Sequence, residues 1–285
     1  EICDRPDAVS VVNAGSLAGR TLRELVEAHG DALLGTRGPV GRRFPWLCKL
    51  LDAREDLSLQ VHPPAALAAA LGGEPKTEMW YVAAAEPGSA VYAGVHPGVT
   101  REAFALRAVD GTVADCFHRL PVQAGDVLFL PSGRVHALGA GLVVFEIQQN
   151  SDTTYRVFDW NRMGLDGKPR ALHLAQALDS IDFLDTAPSL VGERVQPEGP
   201  FLVRSLVEDP LFRIREFRGS GVAGDPRKPG TLGLIAVVHG RIQVHGGGTT
   251  VEVPAGGFVL LPAALEAVSI TTVGADATWL VTVPG

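Results

Sequence analysis

The strings LSLQVHP at 57–63, GEPKTEMWYV at 73–82 and AGDVLFLPSGRVHAL at 124–138 decide how the chain reads. In an extended segment alternate side chains point the same way, so Ser58, Gln60 and His62 share one face while Leu57, Leu59 and Val61 share the other. One face packs and the other is free to chelate. Glu78 opens the aromatic and apolar run Met79 to Val82, which reads as a second strand. His136 follows a third run, Val127 to Leu130, across a Pro-Ser-Gly turn at 131–133. Two imidazoles, a carboxylate and an amide oxygen on successive strands make an N/O donor set suited to zinc or another borderline divalent ion, with room for water or substrate. Gln60, His62, Glu78 and His136 are therefore the expected metal ligands. Taken singly, each also fits polar display on a surface strand or a structural hydrogen bond, so the expectation rests on their combination.

Outward from these strings the pattern is mainly β. Short apolar runs broken by Gly and Pro predict strands at 79–84, 89–93, 102–107, 113–118, 126–130 and 141–149. They resume at 201–207, 212–217, 231–238, 241–245, 249–253, 257–261, 268–273 and 278–283. Many short strands with such turns favour a sandwich or barrel over alternating strand-helix units. Three helices interrupt them. Thr21 and Glu24 fit a capping box for a helix over 22–29 with Gly30 as its C-cap. Pro63-Pro64 precedes an Ala-rich helix over 65–71 stopped by Gly72-Gly73, and LHLAQALDSIDF predicts a helix over 172–179. Residues 159–169 are polar and turn-rich, and 186–199 lack periodicity, which divides the chain into a metal-binding domain, 1–185, and a second β domain, 186–285. VQAGDVLFLP at 122–131 is weakly repeated as VPAGGFVLLP at 253–262. At that offset His136 falls opposite Ala267, so the second copy repeats architecture without chemistry, with Gly125 and Gly256 each serving a tight turn.

The chain has 25 basic against 32 acidic residues and no sustained Lys/Arg run, so nucleic acid and anionic membranes are not expected partners. Three scattered cysteines, Cys3, Cys48 and Cys116, read as reduced thiols of a cytoplasmic protein and not as a disulfide framework. No run of 18 apolar residues predicts a membrane span, and the opening EICDRPD lacks the basic and apolar regions of a signal peptide. There is neither a nucleophile elbow nor a phosphate-cradling P-loop. His239 and His245 form a second pair, but HGGGTT at 245–250 reads as a hairpin turn and no compact carboxylate-histidine set follows it, so surface or turn roles are expected. Lys76, two residues before Glu78, and Arg156, after the acidic-polar string from Glu146 to Asp152, are candidates for gripping a phosphorylated substrate, with internal salt bridging as the alternative.

Together LSLQVHP, GEPKTEMWYV, PSGRVHALG and, above all, EIQQNSDTTYRVFDWNR at 146–162 closely resemble the type I mannose-6-phosphate isomerases in their short bacterial form. Order and spacing match over residues 10–180, and the C-terminal region resembles that family's second β domain more weakly. The resemblance implies cupin-like jelly-roll domains with a few added helices and one zinc per chain on Gln60, His62, Glu78 and His136. It further implies interconversion of mannose 6-phosphate and fructose 6-phosphate through a cis-enediolate. Arg156 matches the family's functional arginine. Lys76 is expected to stabilise the enediolate or contact phosphate, and Glu146 or Asp152 to carry the proton. No protein partner is implied, and a monomer or weak dimer is expected. The alternatives are an isomerase of another phosphorylated aldose and a noncatalytic metal-containing sugar-binding cupin.

Overall fold

Thr21 starts the first helix as its sequence dictates. Its Oγ1 accepts from the Glu24 amide at 3.2 Å, and Glu24 Oε2 accepts from the Thr21 amide at 2.7 Å. The computed structural model describes residues 1–35, 43–160, 162–163 and 167–285. Within it, β1 (Asp4–Arg5) and β2 (Ala8–Val9) make a small hairpin before α1 (Leu22–Leu34). This helix outruns the expected stop at Gly30. It bends at His29 (φ −133°) and ends at Gly35, whose φ of 84° suits glycine. The turn-rich stretch read at 159–169 is only partly covered, since Asn161 and residues 164–166 lie outside the described residues.

Two units follow from the contacts, Cys48–Val191 and Glu1–Leu47 with Gly192–Gly285. The first 47 residues were expected with the metal-binding domain. They cluster instead with the C-terminal strands, for example through hydrogen bonds from the Ala263 and Ala264 amides to the carbonyls of Leu33 and Ala32.

The unit Cys48–Val191 is built from β3 (Trp46–Ala53, whose first two residues belong to the other unit), β4 (Leu59–Val61), α2 (Ala65–Ala68), β5 (Glu78–Ala85), β6 (Ala90–Val95), α3 (Arg101–Asp110), β7 (Phe117–Pro121), β8 (Val127–Leu130), β9 (His136–Leu138), β10 (Leu142–Gln149), β11 (Tyr155–Phe158) and α4 (Leu174–Ser180). The strands form two sheets, ordered β3-β10-β5-β8 and β11-β4-β9-β6-β7. Mainly β architecture with few helices is what the turn and strand pattern called for, and the arrangement is a cupin-like jelly roll.

Period-two alternation gives each sheet distinct faces. Trp80, Val82, Val91, Ala93, Leu128, Leu130, Leu138 and Val144 make one apolar cluster. Leu59, Val61, Ala137, Tyr155 and Val157, from the opposite face of the five-stranded sheet, pack with Phe104 of α3 and Ala177 of α4. The helices therefore cover one face of that sheet and leave the other for the site.

Two expected strands, 102–107 and 113–118, are not strands. Arg101–Asp110 is helical, with the Thr100 hydroxyl accepting from the Ala103 amide and Gly111 closing the helix at φ 83°. Val113–Cys116 is a 3₁₀ turn that leads into β7. The segment 102–107 has no β-branched residue and is rich in helix formers, and Phe104 is buried while Leu106 and Val109 are exposed, a helical spacing. The Ala-rich helix is shorter than expected, Ala65–Ala68, and continues as turns to Gly72 (φ 72°).

The other unit carries β12 (Val195–Glu198), β13 (Phe201–Glu208), β14 (Arg213–Gly219), β15 (Val222–Gly224), β16 (Gly233–His239), β17 (Arg241–Gly246), β18 (Thr249–Pro254), β19 (Phe258–Leu261), β20 (Ser269–Thr272) and β21 (Ala277–Val283). They pair as β12-β13-β14-β21-β16-β19 and β15-β20-β17-β18 around an apolar core in which Trp279 stacks on Phe217 at 5.5 Å. Gly125 (φ 92°) and Gly256 (φ 80°) precede β8 and β19 as the repeat suggests. His245 bonds to Thr250 across the β17–β18 hairpin at 2.9 Å, in keeping with a turn role.

Candidate metal centre

Strand register assembles the site. Arg156 of β11 is paired with Gln60 of β4, Gln60 with His136 of β9, and His136 with Ala93 of β6, so the three polar residues form one row on one face. Across the other sheet Glu78 is paired with Gln148 and Leu130, and Trp80 with Glu146 and Leu128. His62 has the parity of Gln60 and stands one residue past the end of β4. The Pro-Ser-Gly turn before His136 is tied down on both sides. Gly133 (φ 95°) donates its amide to the His62 carbonyl at 2.9 Å, and Ser132 donates its amide to Thr77 Oγ1 at 3.2 Å.

Three donor-bearing side chains meet at this point. His62, Glu78 and His136 are each at most 1% exposed, and their ligand atoms lie within 4.8 Å of one another. His136 Nε2 is 3.2 Å from Glu78 Oε1, and His62 Nε2 is 3.6 Å from Glu78 Oε2. Both ring tautomers are set by backbone carbonyls, which only accept. His62 Nδ1 donates to Thr153 O at 2.7 Å and His136 Nδ1 to Arg134 O at 2.9 Å, so each ring turns an Nε2 lone pair toward Glu78. Burial, reinforced by the Lys76 charge, pushes the His62 pKa down to about 3, and the ring is neutral. Burial alone would raise the Glu78 pKa, but the Lys76 charge outweighs it and holds the carboxyl well below its usual range.

The donor set fits a metal ion on two counts. His62 Nε2 and Glu78 Oε1 are buried without a hydrogen-bond donor, while Glu78 Oε2 is met by the Lys76 ammonium at 2.7 Å. Acceptors orphaned side by side in a core are costly, and the one ammonium at Glu78 Oε2 leaves His62 Nε2 and Glu78 Oε1 unsatisfied. A tetrahedral ion about 2.0–2.1 Å from each donor sets donors about 3.3 Å apart, and each imidazole nitrogen stands at about that spacing from a Glu78 oxygen, His136 Nε2 at 3.2 Å from Oε1 and His62 Nε2 at 3.6 Å from Oε2. Gln60 borders the triad, its amide terminus 3.4 Å from His136 Nε2 while Ser58 Oγ donates to the other terminus at 3.2 Å. Because O and N of an amide are nearly isosteric, a half-turn of the group would bring its oxygen among the donors.

Around the triad lies a charged layer. Burial alone would lower the Lys76 pKa, but Glu146 and Glu78 reverse it and the net shift is upward, so this 3%-exposed amine is an ammonium. Glu146 is buried and occupied on both oxygens. Oε2 accepts from Trp80 Nε1 at 2.9 Å, and Oε1 stands 3.4 Å from Lys49 Nζ and 3.9 Å from Lys76 Nζ. Trp80 also sets its ring edge-on to His136 at 5.2 Å. Asp152 is exposed, accepts no hydrogen bond among the described residues and acts on Lys76 and Arg156 through its charge. Arg156 has a buried Nε without a hydrogen-bond partner, and burial, then the neighbouring Arg170, lowers its pKa.

Trp80 and Lys49 were not singled out from the sequence. Their signals were present, since Trp80 shares the parity of Glu78 and a lysine interrupts the apolar run 44–51. His173 sits at the N-cap of α4, where its Nδ1 accepts from the Arg156 amide at 3.3 Å. All three cysteines are buried, and none is in a disulfide. No helix among the described residues is long and apolar enough to cross a membrane.

Two apposed β sheets with a buried His/His/Glu triad define a cupin-type metalloprotein. Residues 2–89 match the family model for the phosphomannose isomerase type I catalytic domain. The chain is 35% identical over 251 residues to mannose-6-phosphate isomerase of Streptococcus mutans, covering 85% of this chain and 76% of that one. It is 36% identical over 258 residues to a mannose-6-phosphate isomerase of Bacillus subtilis, covering 89% and 79%. The crystal structure of mannose 6-phosphate isomerase from Bacillus subtilis superposes with a TM-score of 0.87 at 29% identity, over 99% of this chain and 87% of that one. The chain belongs to the type I mannose-6-phosphate isomerase family, in its short bacterial form.

Proposed function

We propose that the chain is a zinc-dependent aldose-ketose isomerase that interconverts D-mannose 6-phosphate and D-fructose 6-phosphate, with one zinc per chain held by His62, Glu78, His136 and the Gln60 amide oxygen. The observation that carries the reading is the pair of buried metal-donor atoms left without a hydrogen bond, His62 Nε2 and Glu78 Oε1, beside a fixed ammonium and an arginine whose buried Nε has no hydrogen-bond partner, in a chain of this family. A metal there contributes Lewis acidity toward the oxygens on C1 and C2 of the open-chain sugar.

The protein's own groups do the rest. Lys76, protonated and 2.7 Å from Glu78, offsets negative charge as the cis-enediolate forms. Arg156, one strand from Gln60, orients the substrate and takes up anionic charge through its fork. Asp152 is the better proton carrier of the two carboxylates, because it has solvent access and no competing hydrogen bond, whereas Glu146 is committed to Trp80 and Lys49. It removes the proton from C2 of the open-chain aldose and returns it to C1, while a second proton passes from the C2 hydroxyl to the C1 oxygen. Glu146 then serves to hold Lys76.

The test is conversion of mannose 6-phosphate by metal-reconstituted and chelated protein, with glucose and other aldose 6-phosphates in parallel. Chelator-sensitive turnover selective for mannose 6-phosphate is expected. Preference for another aldose phosphate would reassign the substrate, and no turnover by folded, zinc-loaded protein would reject the reading. Arg156→Ala should keep the metal and lose about 10²–10³ in kcat/KM, the scale for losing one transition-state electrostatic group. Unchanged kinetics would remove Arg156 from the site.

A further inference from the structure

The two metal-facing histidines are oriented in different ways. The carbonyl that fixes His136 belongs to Arg134, two residues away, and the Arg134 guanidinium is itself clamped by both oxygens of Asp185 at 2.6 and 2.8 Å. The carbonyl that fixes His62 belongs to Thr153, 91 residues further along the chain. Its position depends wholly on how the loop before β11 is seated, and the His62 ring, 1% exposed, has no water to substitute for it.

That seat is the segment leaving α2. The Gly73 amide donates to Ala68 O at 2.8 Å, the Glu74 amide to Thr153 Oγ1 at 2.9 Å, and Tyr155 Oη to Leu71 O at 2.8 Å. Ser151 Oγ donates to Glu74 O at 3.2 Å and accepts from the Thr153 amide at 3.3 Å. Gly72 is needed for its positive φ, but Gly73 is not left-handed. It is needed for space, since a Cβ there would lie 2.5 Å from Thr153 Cγ2 and 2.8 Å from Tyr155 Oη.

We propose that Gly73 and Thr153 are positioning residues whose contact selects the Nδ1-protonated tautomer of His62 and so presets its Nε2 as a metal donor. The inference rests on the reading of His62 as a ligand. With a side chain at 73 the Thr153 loop must lift, the carbonyl leaves Nδ1, and the ring is free to protonate at Nε2, where the lone pair is needed. Loss of such an outer partner weakens metal binding about 10–100-fold.

The experiment uses ring-¹⁵N-labelled histidine in full-length protein stripped of metal, with the His62 signals assigned from their absence in His62→Gln. Zinc affinity is measured in parallel by competition with a chromophoric chelator. Wild-type His62 should show a single neutral tautomer with the proton on Nδ1. Gly73→Ala should show both tautomers and about 10–100-fold weaker zinc binding. Adding Thr153→Ser and Tyr155→Phe, which removes the two closest atoms while keeping the Thr153 carbonyl, should restore both readouts. A wild-type His62 protonated on Nε2 overturns the proposal, and this result does not depend on any variant folding. So does Gly73→Ala with unchanged tautomer and affinity, or loss of affinity that the added substitutions fail to restore. Failure of the ligand reading is separate, because it would appear as zinc affinity indifferent to His62→Gln.

Discussion

Neutralising Glu78 should destabilise the metal-free protein through Lys76. In the apo state the Lys76 ammonium, 3% exposed, depends on Glu78 Oε2 at 2.7 Å, with Glu146 next at 3.9 Å. Glu78→Gln preserves shape and leaves a buried cation with one distant partner, a change that costs about 3–5 kcal/mol. The unit Cys48–Val191 has roughly 140 residues, for which the entropy of unfolding is about 0.3 kcal/mol per kelvin, so its transition should fall by about 10–17 °C. Glu78→Gln with Lys76→Met removes the stranded charge and should recover most of that loss, giving a coupling of about 2–3 kcal/mol in a double-mutant cycle. Scanning calorimetry of the four metal-free proteins at pH 7 reads the cycle directly. A Glu78→Gln transition within about 2 °C of wild type, or a double variant whose loss equals the sum of the singles, would refute a charged Lys76 paired with Glu78.

Other consequences lie further from the triad. Asp159 accepts from Arg162 and Arg170, both at 2.5 Å, and these bonds outweigh burial, which alone would raise its pKa, so the net shift is downward. A depressed carboxyl stabilises the fold above its unfolded pKa of about 3.9 and loses that contribution as pH falls through the folded value. Asp159→Asn should therefore cost about 1–2 kcal/mol at pH 7, the arginines being partly exposed, and progressively less below about pH 4; a pH-independent loss in thermal scans would contradict it. Phe104→Ala, at a fully buried ring set against Phe117 and Phe183 at 5.9 and 5.7 Å, should cost about 3–5 kcal/mol in urea unfolding while leaving zinc content unchanged.

Much of the site was legible because strand chemistry has a short period. Gln60 and His62 declare their common face within three residues, and Glu78 and Trp80 do the same on β5. Convergence of the two sheets was not legible, since register between β4, β9 and β11 is set by packing between segments dozens of residues apart. The helix α3 was misread for a different reason. A six-residue segment carries too little phase to separate periods of 2 and 3.6, so the helix-forming composition and the Thr100 and Gly111 caps have to distinguish them. The grouping of residues 1–47 with the C-terminal strands leaves no local trace at all. Nor could the roles of Gly73 and Thr153 be read from sequence, because a required absence of a side chain becomes visible only when the neighbouring atoms are in place.

The most direct test of the account is the rate of mannose 6-phosphate isomerisation as zinc is returned stepwise to chelated protein, with bound metal counted per chain at each step. The account predicts a rate that rises linearly and stops at one zinc per chain, with His62→Gln failing to take up metal. Full activity in the metal-free protein, or zinc bound at one per chain in His62→Gln with wild-type affinity, would contradict it.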